Sequence, residues 1–471
     1  MNEFYIDRLI NKNDKGIAAY GEKNIEFQEI CKIVKFELDE DWNRTKEQFK
    51  ISKLEREKRA IIGYEKETEY YKEKIQEIIR IKNLNNSWYP IWYVNLYDAI
   101  FNELFGLAGL APWAYNTISI YENSSSAKVI GDRIYCLIDG KTVLQPQKIN
   151  YKRRKQLMRA LLLESPFEDT NKGFHEVYLH NGIRITIYSG QKTKEGEEII
   201  VLRKYVIRNM DFNELVRLNT IPKEAVRIFE WMIKIGFNVI FAGPVRSGKT
   251  TFMQNWQMHE DKNLEGLVLA TDPETPWHKL MPEYPIMQLI ADGDELETIT
   301  KSILRGDNDY VLLEEMRDAV AYNLALEITS IGTKRCKATI HDNNAYNIPY
   351  KMASKIRAKY GGNMRDIIGQ IFMNFDIVIE LNQRNDNRSF KRMLSIKEYY
   401  YDEINDMAVI NTICEYDEAL NKWRWNKKIY NKVRSNERYI EELQMELSKL
   451  NGERPLEKSV LAPGYYRSSE D

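Results

Sequence analysis

The sequence predicts an α/β protein: a parallel-sheet domain C-terminal of Arg208, preceded by a small α+β domain and an N-terminal helical extension. Three observations carry this reading. After Arg208, helical segments alternate with short apolar runs at Asn238–Ala242, Leu267–Ala270, Tyr310–Leu313, Lys337–Ile340 and Asp376–Leu381, the pattern of βα units on a parallel sheet. Between Tyr115 and Asn209 the texture is of short alternating runs that suggest a small sheet. From Glu22 to Lys82 the chain is dense in Lys, Glu, Ile and Tyr with almost no Gly or Pro, the composition of amphipathic helices with exposed ion pairs. The expected boundaries are 1–88 for the helical extension, 89–210 for the α+β domain, 211–426 for the parallel-sheet domain and 427–471 for a charged helix and tail.

The N-terminal residues MNEFYIDRLINKNDKG lack the basic and apolar regions of a signal peptide, so a cytoplasmic location is expected. Four widely separated cysteines without a C-x-x-C pair argue against a zinc ribbon or redox dithiol and fit a reducing compartment. A formal charge of -1 excludes a global basic field for nonspecific nucleic-acid binding. The helical stretch Glu22–Lys82 reads as a solvated arm or a partner-docking element; its apolar residues from Lys46 onward are too irregularly spaced for a coiled-coil seam. The most apolar window, Tyr89–Tyr115, is broken by Asn95, Asp98, Asn102, Glu103 and Pro112, short of a membrane span, and reads as amphipathic core or else as a membrane-contacting surface.

In the α+β region, strands are expected in Ile130–Ile138, His175–His180, Gly182–Tyr188 and Ile199–Val206. A helix over Tyr151–Leu163 places Lys152, Arg153, Arg154, Lys155 and Arg159 on its polar face. Late strands around Met393–Glu398 and Val409–Tyr416 close the following domain, and a charged helix is expected over Lys427–Leu450.

The segment Gly243, Pro244, Val245, Arg246, Ser247, Gly248, Lys249, Thr250 satisfies G-x-x-x-x-G-K-[ST] and lies between an apolar run and a helical stretch beginning at Thr251. Glycines let successive backbone N–H groups curl around a β-phosphate, and the helix N-terminus adds partial positive charge. Lys249 is placed to reach β/γ oxygens and Thr250 to offer a hydroxyl to Mg²⁺, so ATP and Mg²⁺ are the expected cofactors.

Such a site needs an acidic residue at the end of a neighbouring strand. Tyr310–Leu313 ends in Glu314-Glu315-Met-Arg-Asp318, a carboxylate pair where open α/β sheets bind ligands, with Glu315 the choice for metal-water ligand or base. Leu267–Ala270 runs into Thr271, Asp272, Pro273 and Glu274, and Asp272 and Glu274 are further carboxylate candidates. His341, just after Lys337–Ile340, is placed to sense a γ-phosphate.

In this order the segments resemble the type II/type IV secretion ATPase superfamily, above all its conjugation, type IV secretion and CpaF-like pilus-assembly branch. The resemblance runs through Leu215-Val-Arg-Leu-Asn-Thr220, the P-loop, the TDPET segment, Leu304–Asp318, Ala338-Thr-Ile-His341 and Ile371–Val378, and upstream to Gly182–Ile185 and Leu202–Tyr205, about Tyr115 to Trp425 in all. It implies a RecA-like P-loop domain working as a hexameric, Mg-dependent ATPase. Arg184 and Arg203 stand where the family's small domain supplies arginines to the nucleotide. It also implies inner-membrane machine proteins as partners and peripheral association through them; with no global basic field, no direct nucleic-acid contact is expected.

The chain departs from the family pattern at several places. Thr271 stands where the acidic box usually has a catalytic Glu, a role Glu274 or Glu315 is placed to take. Glu314 replaces a usual Gly, Asn308 a usual Pro, and Ile331-Gly-Thr333 a usual Thr-Gly-His. The four-cysteine zinc site of many pilus-extension and type II members is missing. The rival readings are a nucleotide-binding assembly factor with little hydrolysis, favoured by Thr271, and a nucleic-acid translocase, for which Lys334, Arg335 and Lys337 form a modest basic cluster.

Overall fold

The computed structural model describes residues 14–43, 50–162, 173–179, 182–204, 211–271, 275–430, 437–450 and 459–462. The chain divides into two compact units, one up to Ile207 and one from Arg208.

The first unit opens with helices α1 (Asp14–Asn43), α2 (Lys50–Ile62), α3 (Glu65–Ile81) and α4 (Leu96–Phe105). Six strands follow: β1 (Ser126–Ile130), β2 (Arg133–Ile138), β3 (Lys141–Lys148), β4 (Phe174–Tyr178), β5 (Arg184–Tyr188) and β6 (Ile199–Arg203), with α5 (Tyr151–Leu162) between β3 and β4. They form one antiparallel sheet in the order β3-β2-β1-β6-β5-β4. Ile130–Ile138, expected as one run, turns at Gly131-Asp132 into the β1–β2 hairpin.

The early helices are no solvated arm. Phe27, Cys31, Val34 and Leu38 recur at helical spacing on α1, as do Tyr71, Ile75 and Ile79 on α3, and all are buried in one core with Ile100, Phe101, Val129, Ile185 and Ile200. Each fully buried apolar side chain contributes about 1.5–3 kcal/mol, so these stripes tie the helices to the sheet, and position 88/89 does not separate two cores. The window Tyr89–Tyr115 joins the same core through Leu96, Ala99, Ile100, Phe101 and Phe105. On α5, Lys152, Lys155 and Arg159 are exposed, but Arg153 and Arg154, expected with them, are buried. Arg154 Nη2 lies 2.6 Å from the Glu198 carboxylate, and Arg153 Nη2 donates to the Asn102 and Gly106 carbonyls.

The second unit begins with α6 (Phe212–Arg217) and α7 (Lys223–Ile235). Then come β7 (Val239–Ala242), α8 (Lys249–Gln257), β8 (Gly266–Ala270), β9 (Ile286–Ile290), α9 (Gly293–Ile303), β10 (Tyr310–Met316), α10 (Ala319–Ser330), β11 (Lys337–Ile340), α11 (Ile348–Tyr360), α12 (Met364–Asn374) and β12 (Ile377–Gln383). The last elements are β13 (Lys391–Asp402), β14 (Met407–Asp417), β15 (Lys422–Trp425), α13 (Glu437–Lys449) and β16 (Ser459–Leu461).

Strands β12-β7-β11-β10-β8-β9 are parallel neighbours, and β13, β14 and β15 continue the sheet antiparallel from β12. Alternate residues of β7 feed two cores: Ile240 and Ala242 pack with α10, α11 and α12, while Val239 and Phe241 pack with α6, α7, α8 and α13. Burial on both faces explains why these strands read as continuous apolar runs.

The C-terminal segment belongs to this unit. Leu443 and Leu447 of α13 are buried in the α7 core, and β16 pairs antiparallel with β14. Of the helix expected over Lys427–Leu450, residues 427–430 belong to no helix or strand and 437–449 are helical; 431–436 lie outside the described residues. No helix among the described residues is long and apolar enough to cross a membrane. All four cysteines are buried and unpaired, with burial pushing each thiol pKa up.

Candidate functional site

The P-loop leaves the C-terminal end of β7, which is flanked by β11 and β12. Gly243 takes φ +155°, and a Cβ there would stand 2.1 Å from the Leu381 carbonyl oxygen of β12, so only glycine fits. Gly248, at φ +91°, turns the chain into α8, whose first N–H groups have no acceptor within the helix. Gln383 Nε2 donates to the carbonyls of Val245 (3.3 Å) and Arg246 (3.1 Å), so β12 holds the middle of the loop. Inside it the Ser247 hydroxyl is fully buried without a hydrogen-bond partner. An orphaned hydroxyl beside helix-terminal amides is a cradle that fits a phosphate group.

Lys249 is buried at the start of α8. Its ammonium donates to the Pro244 carbonyl at 2.9 Å and lies 3.1 Å from His341 Nδ1. Burial pushes its pKa down to about 8, against the opposite pull of Glu315. An ammonium only donates, so Nδ1 is the acceptor and Nε2 carries the hydrogen, an assignment made from the network. That Nε2 lies 2.6 Å from Glu315 Oε1, and Arg317 Nη2 binds Glu315 Oε2. Burial works to raise the Glu315 pKa, but the hydrogen bonds from His341 and Arg317 outweigh it and bring it down to about 2.

A bulge aims this carboxylate. The β10–β11 register shifts between Leu313 and Met316, Glu315 sits at φ +65°, and its N–H donates to Thr339 Oγ1 of β11 at 2.8 Å. Glu314, expected to act beside it, points elsewhere: its buried Oε1 accepts from the Trp277 indole N–H at 2.9 Å. The pair is therefore split, and only Glu315 meets His341.

Thr271 follows β8, whose last residue, Ala270, pairs with Glu314. Asp272 and Glu274 lie outside the described residues. The segment is anchored beyond them by Thr275, whose hydroxyl accepts from Gln254 Nε2 and whose carbonyl accepts from Gln288 Nε2. Thr250 is half-buried in the first turn of α8. Among the described residues no group of three or more His, Cys, Asp or Glu could hold a metal ion; the Thr250 hydroxyl and Glu315 carboxylate supply the hard oxygen donors that suit Mg²⁺.

In the first unit, Arg184 and Arg203 are direct cross-strand partners on β5 and β6. Arg184 donates to Glu176 of β4 at 2.8 Å, and Arg203 is exposed. The basic cluster weighed for nucleic acid is largely spent on the interior. Lys337 is fully buried 2.7 Å from Glu260, and Arg335 Nη1 donates to the other oxygen of the same carboxylate.

Thr339, Gln383 and Arg317 were not singled out from sequence. Thr339 and Gln383 act through strand register and Arg317 through the bulge, and none stands in a spacing motif.

The parallel sheet, the P-loop between β7 and α8, and the ends of β10 and β11 beside it define a RecA-like P-loop fold. Residues 188–373 match the model of the family described as type II/IV secretion system protein. It is 24% identical over 173 residues to the competence protein ComGA of Bacillus subtilis (strain 168), an alignment covering 36% of this chain and 46%, less than half, of ComGA. Similar solved structures include the ATPase DotB of Legionella pneumophila (14% identity, TM-score 0.45, covering 63% of this chain and 81% of DotB). Another is the VirB11 ATPase of the Brucella suis type IV secretion system (15% identity, TM-score 0.32, covering 61% of this chain and 94% of VirB11).

Proposed function

We propose that this chain hydrolyses ATP with Mg²⁺ as a homo-hexamer. In this reading it powers a secretion, conjugative-transfer or pilus-assembly machine at the inner face of the cell membrane, held there by membrane proteins of the machine. The observation that carries it is the Lys249–His341–Glu315 chain of contacts at the mouth of the P-loop, which joins a phosphate-binding cation to an ionised carboxylate.

The P-loop amides and the Ser247 hydroxyl bind the β-phosphate, and Lys249 neutralises the β/γ oxygens. Thr250 and Glu315 would hold Mg²⁺, which when bound spreads the phosphate charge. Glu315, ionised at neutral pH, orients the attacking water, and Asp272 and Glu274 are the alternative carboxylates for this role. His341 links Glu315 to Lys249 and thereby reads the γ-phosphate. Arg184 and Arg203 cancel charge on the transferring phosphoryl group.

Thr271 favours a second reading, an assembly factor that binds ATP and turns it over little. The burial of Lys337 and the pairing of Arg335 count against the translocase reading. Steady-state ATP hydrolysis, with oligomeric state measured in the same samples and Lys249→Ala and Glu315→Gln as controls, separates them. Turnover lost in both variants supports the motor; tight ATP binding without turnover in a confirmed hexamer supports the assembly factor.

A further inference from the structure

His341 does not sit on a strand. It opens the loop His341–Asn347 between β11 and α11, and an imidazole on a loop meets its partners at 2.6 and 3.1 Å only if the loop is held. Lys351 of α11 donates to the His341 carbonyl at 2.6 Å, and the far end of the loop, at Ala345, is held by β12 and β13. Glu380 of β12 accepts the Ala345 backbone N–H on Oε1 at 2.7 Å, and its Oε2 accepts from the Ser395 hydroxyl. Tyr399 of β13 donates to the carbonyl of the same Ala345 at 2.5 Å, so this residue is fixed through both its backbone polar groups.

Behind them Lys397, almost wholly buried, lies 3.7 Å from Glu380 Oε2 and donates to the Tyr346 hydroxyl at 3.3 Å. Ala345, Ser395 and Tyr399 are buried too. Glu380 also pairs across the sheet with Ala242, the residue before the P-loop. One carboxylate therefore fixes part of the loop that carries His341 while standing beside β7, the strand that leads into the P-loop. Keeping a carboxylate in such a place costs desolvation, offset here by a backbone N–H, a hydroxyl and a buried ammonium.

We infer that Glu380 is a positioning residue for hydrolysis: it sets the His341 loop so that the imidazole bridges Lys249 and Glu315, and it acts through His341. This rests on the ATPase reading above. A misplacement of about 1 Å in a reacting constellation can cost up to ~100-fold in rate, so a partial release of the loop is expected to cost about tenfold.

The test measures kcat and KM for ATP on the full chain for wild type, Glu380→Ala, Glu380→Gln, Tyr399→Phe and His341→Ala, and for each of the first three substitutions combined with His341→Ala. Glu380→Ala is expected to lower kcat about tenfold with KM changed less than about twofold. Glu380→Gln, whose amide oxygen still accepts from Ala345, restores most of the rate. Tyr399→Phe releases the other side of Ala345 without removing a charge and reproduces the kcat loss should Glu380→Ala fail to fold. In the His341→Ala background none of these changes has a further effect. Equal losses with and without His341, or a wild-type kcat for both Glu380→Ala and Tyr399→Phe, overturn the inference. An inactive wild type that still binds ATP overturns the hydrolysis reading itself, and this inference with it.

Discussion

Replacing Glu260 by alanine tests how the P-loop helix is tied to the sheet. Glu260 follows α8, is buried, and holds Lys337 Nζ at 2.7 Å with one oxygen and Arg335 with the other. Lys337 starts β11 and is fully buried; besides Glu260 it has Gln257 Oε1 at 2.9 Å and the Tyr310 ring at 5.0 Å. Removing the carboxylate strands an ammonium in the core, at a cost of about 3–5 kcal/mol. The ammonium can escape by losing its proton, which from its ordinary pKa of 10.5 costs about 5 kcal/mol at pH 7, so the two estimates agree. At roughly 2–4 °C per kcal/mol for a domain of this size, the melting temperature should fall by roughly 6–20 °C. Burial already lowers the Lys337 pKa. In the variant the unfolded chain binds the extra proton, so the deficit shrinks as pH rises towards 10.5. Thermal unfolding followed by circular dichroism at pH 7 and pH 9 reads both effects. A Glu260→Ala melting temperature within about 2 °C of wild type, or acetylation of Lys337 in the native protein as fast as a surface lysine, would refute the burial argument.

Two further predictions concern residues of the loop and its neighbouring strand. The folded-state pKa of Lys249, about 8, lies below its ordinary 10.5, so the unfolded chain holds more protons between those values and its penalty on stability is relieved as pH rises from 8 to 10.5. Lys249→Met should therefore be more stable than wild type at pH 7, by up to ~3 kcal/mol, with the gap closing above pH 8; identical unfolding curves at pH 7 would count against it. Glu314→Gly, which installs the residue usual in the family, removes the acceptor of the buried Trp277 indole. It should cost about 1–3 kcal/mol and alter tryptophan fluorescence while turnover persists, and loss of turnover would show that Glu314 has a chemical role.

Much of the parallel sheet is legible because its central strands are buried on both faces: Leu267–Ala270 and Tyr310–Leu313 need only be apolar, without alternation, to be found. β9 escapes because it is the sheet's edge, where Met287, Leu289 and Ile290 are exposed. β3 escapes because Lys141–Lys148 holds Pro146 and two glutamines that meet Tyr121 or their own backbone rather than an apolar core. The early helices are misjudged for the opposite reason. A charge-rich composition hides stripes as narrow as Phe27, Cys31, Val34 and Leu38, and composition averages over faces that packing keeps apart.

The site divides along a different line. The P-loop is readable because its constraints are local to the chain: Gly243 must admit the Leu381 carbonyl and Gly248 must turn at positive φ, so the residue types are written at fixed spacing. Glu314 and Glu315 are neighbours in sequence, and simple alternation sends them to opposite faces without saying which one meets the P-loop. The choice is made by the bulge, where Glu315 occupies a left-handed conformation that costs a non-glycine residue about 1–3 kcal/mol. Thr339 on the next strand binds the N–H that the bulge frees, 24 residues away in sequence. The strain thus falls on the one residue whose carboxylate touches His341, and an unstrained strand would carry that carboxylate out of line with the imidazole. Which acid meets His341 is decided by register between β10 and β11, a property that neither strand's own sequence contains.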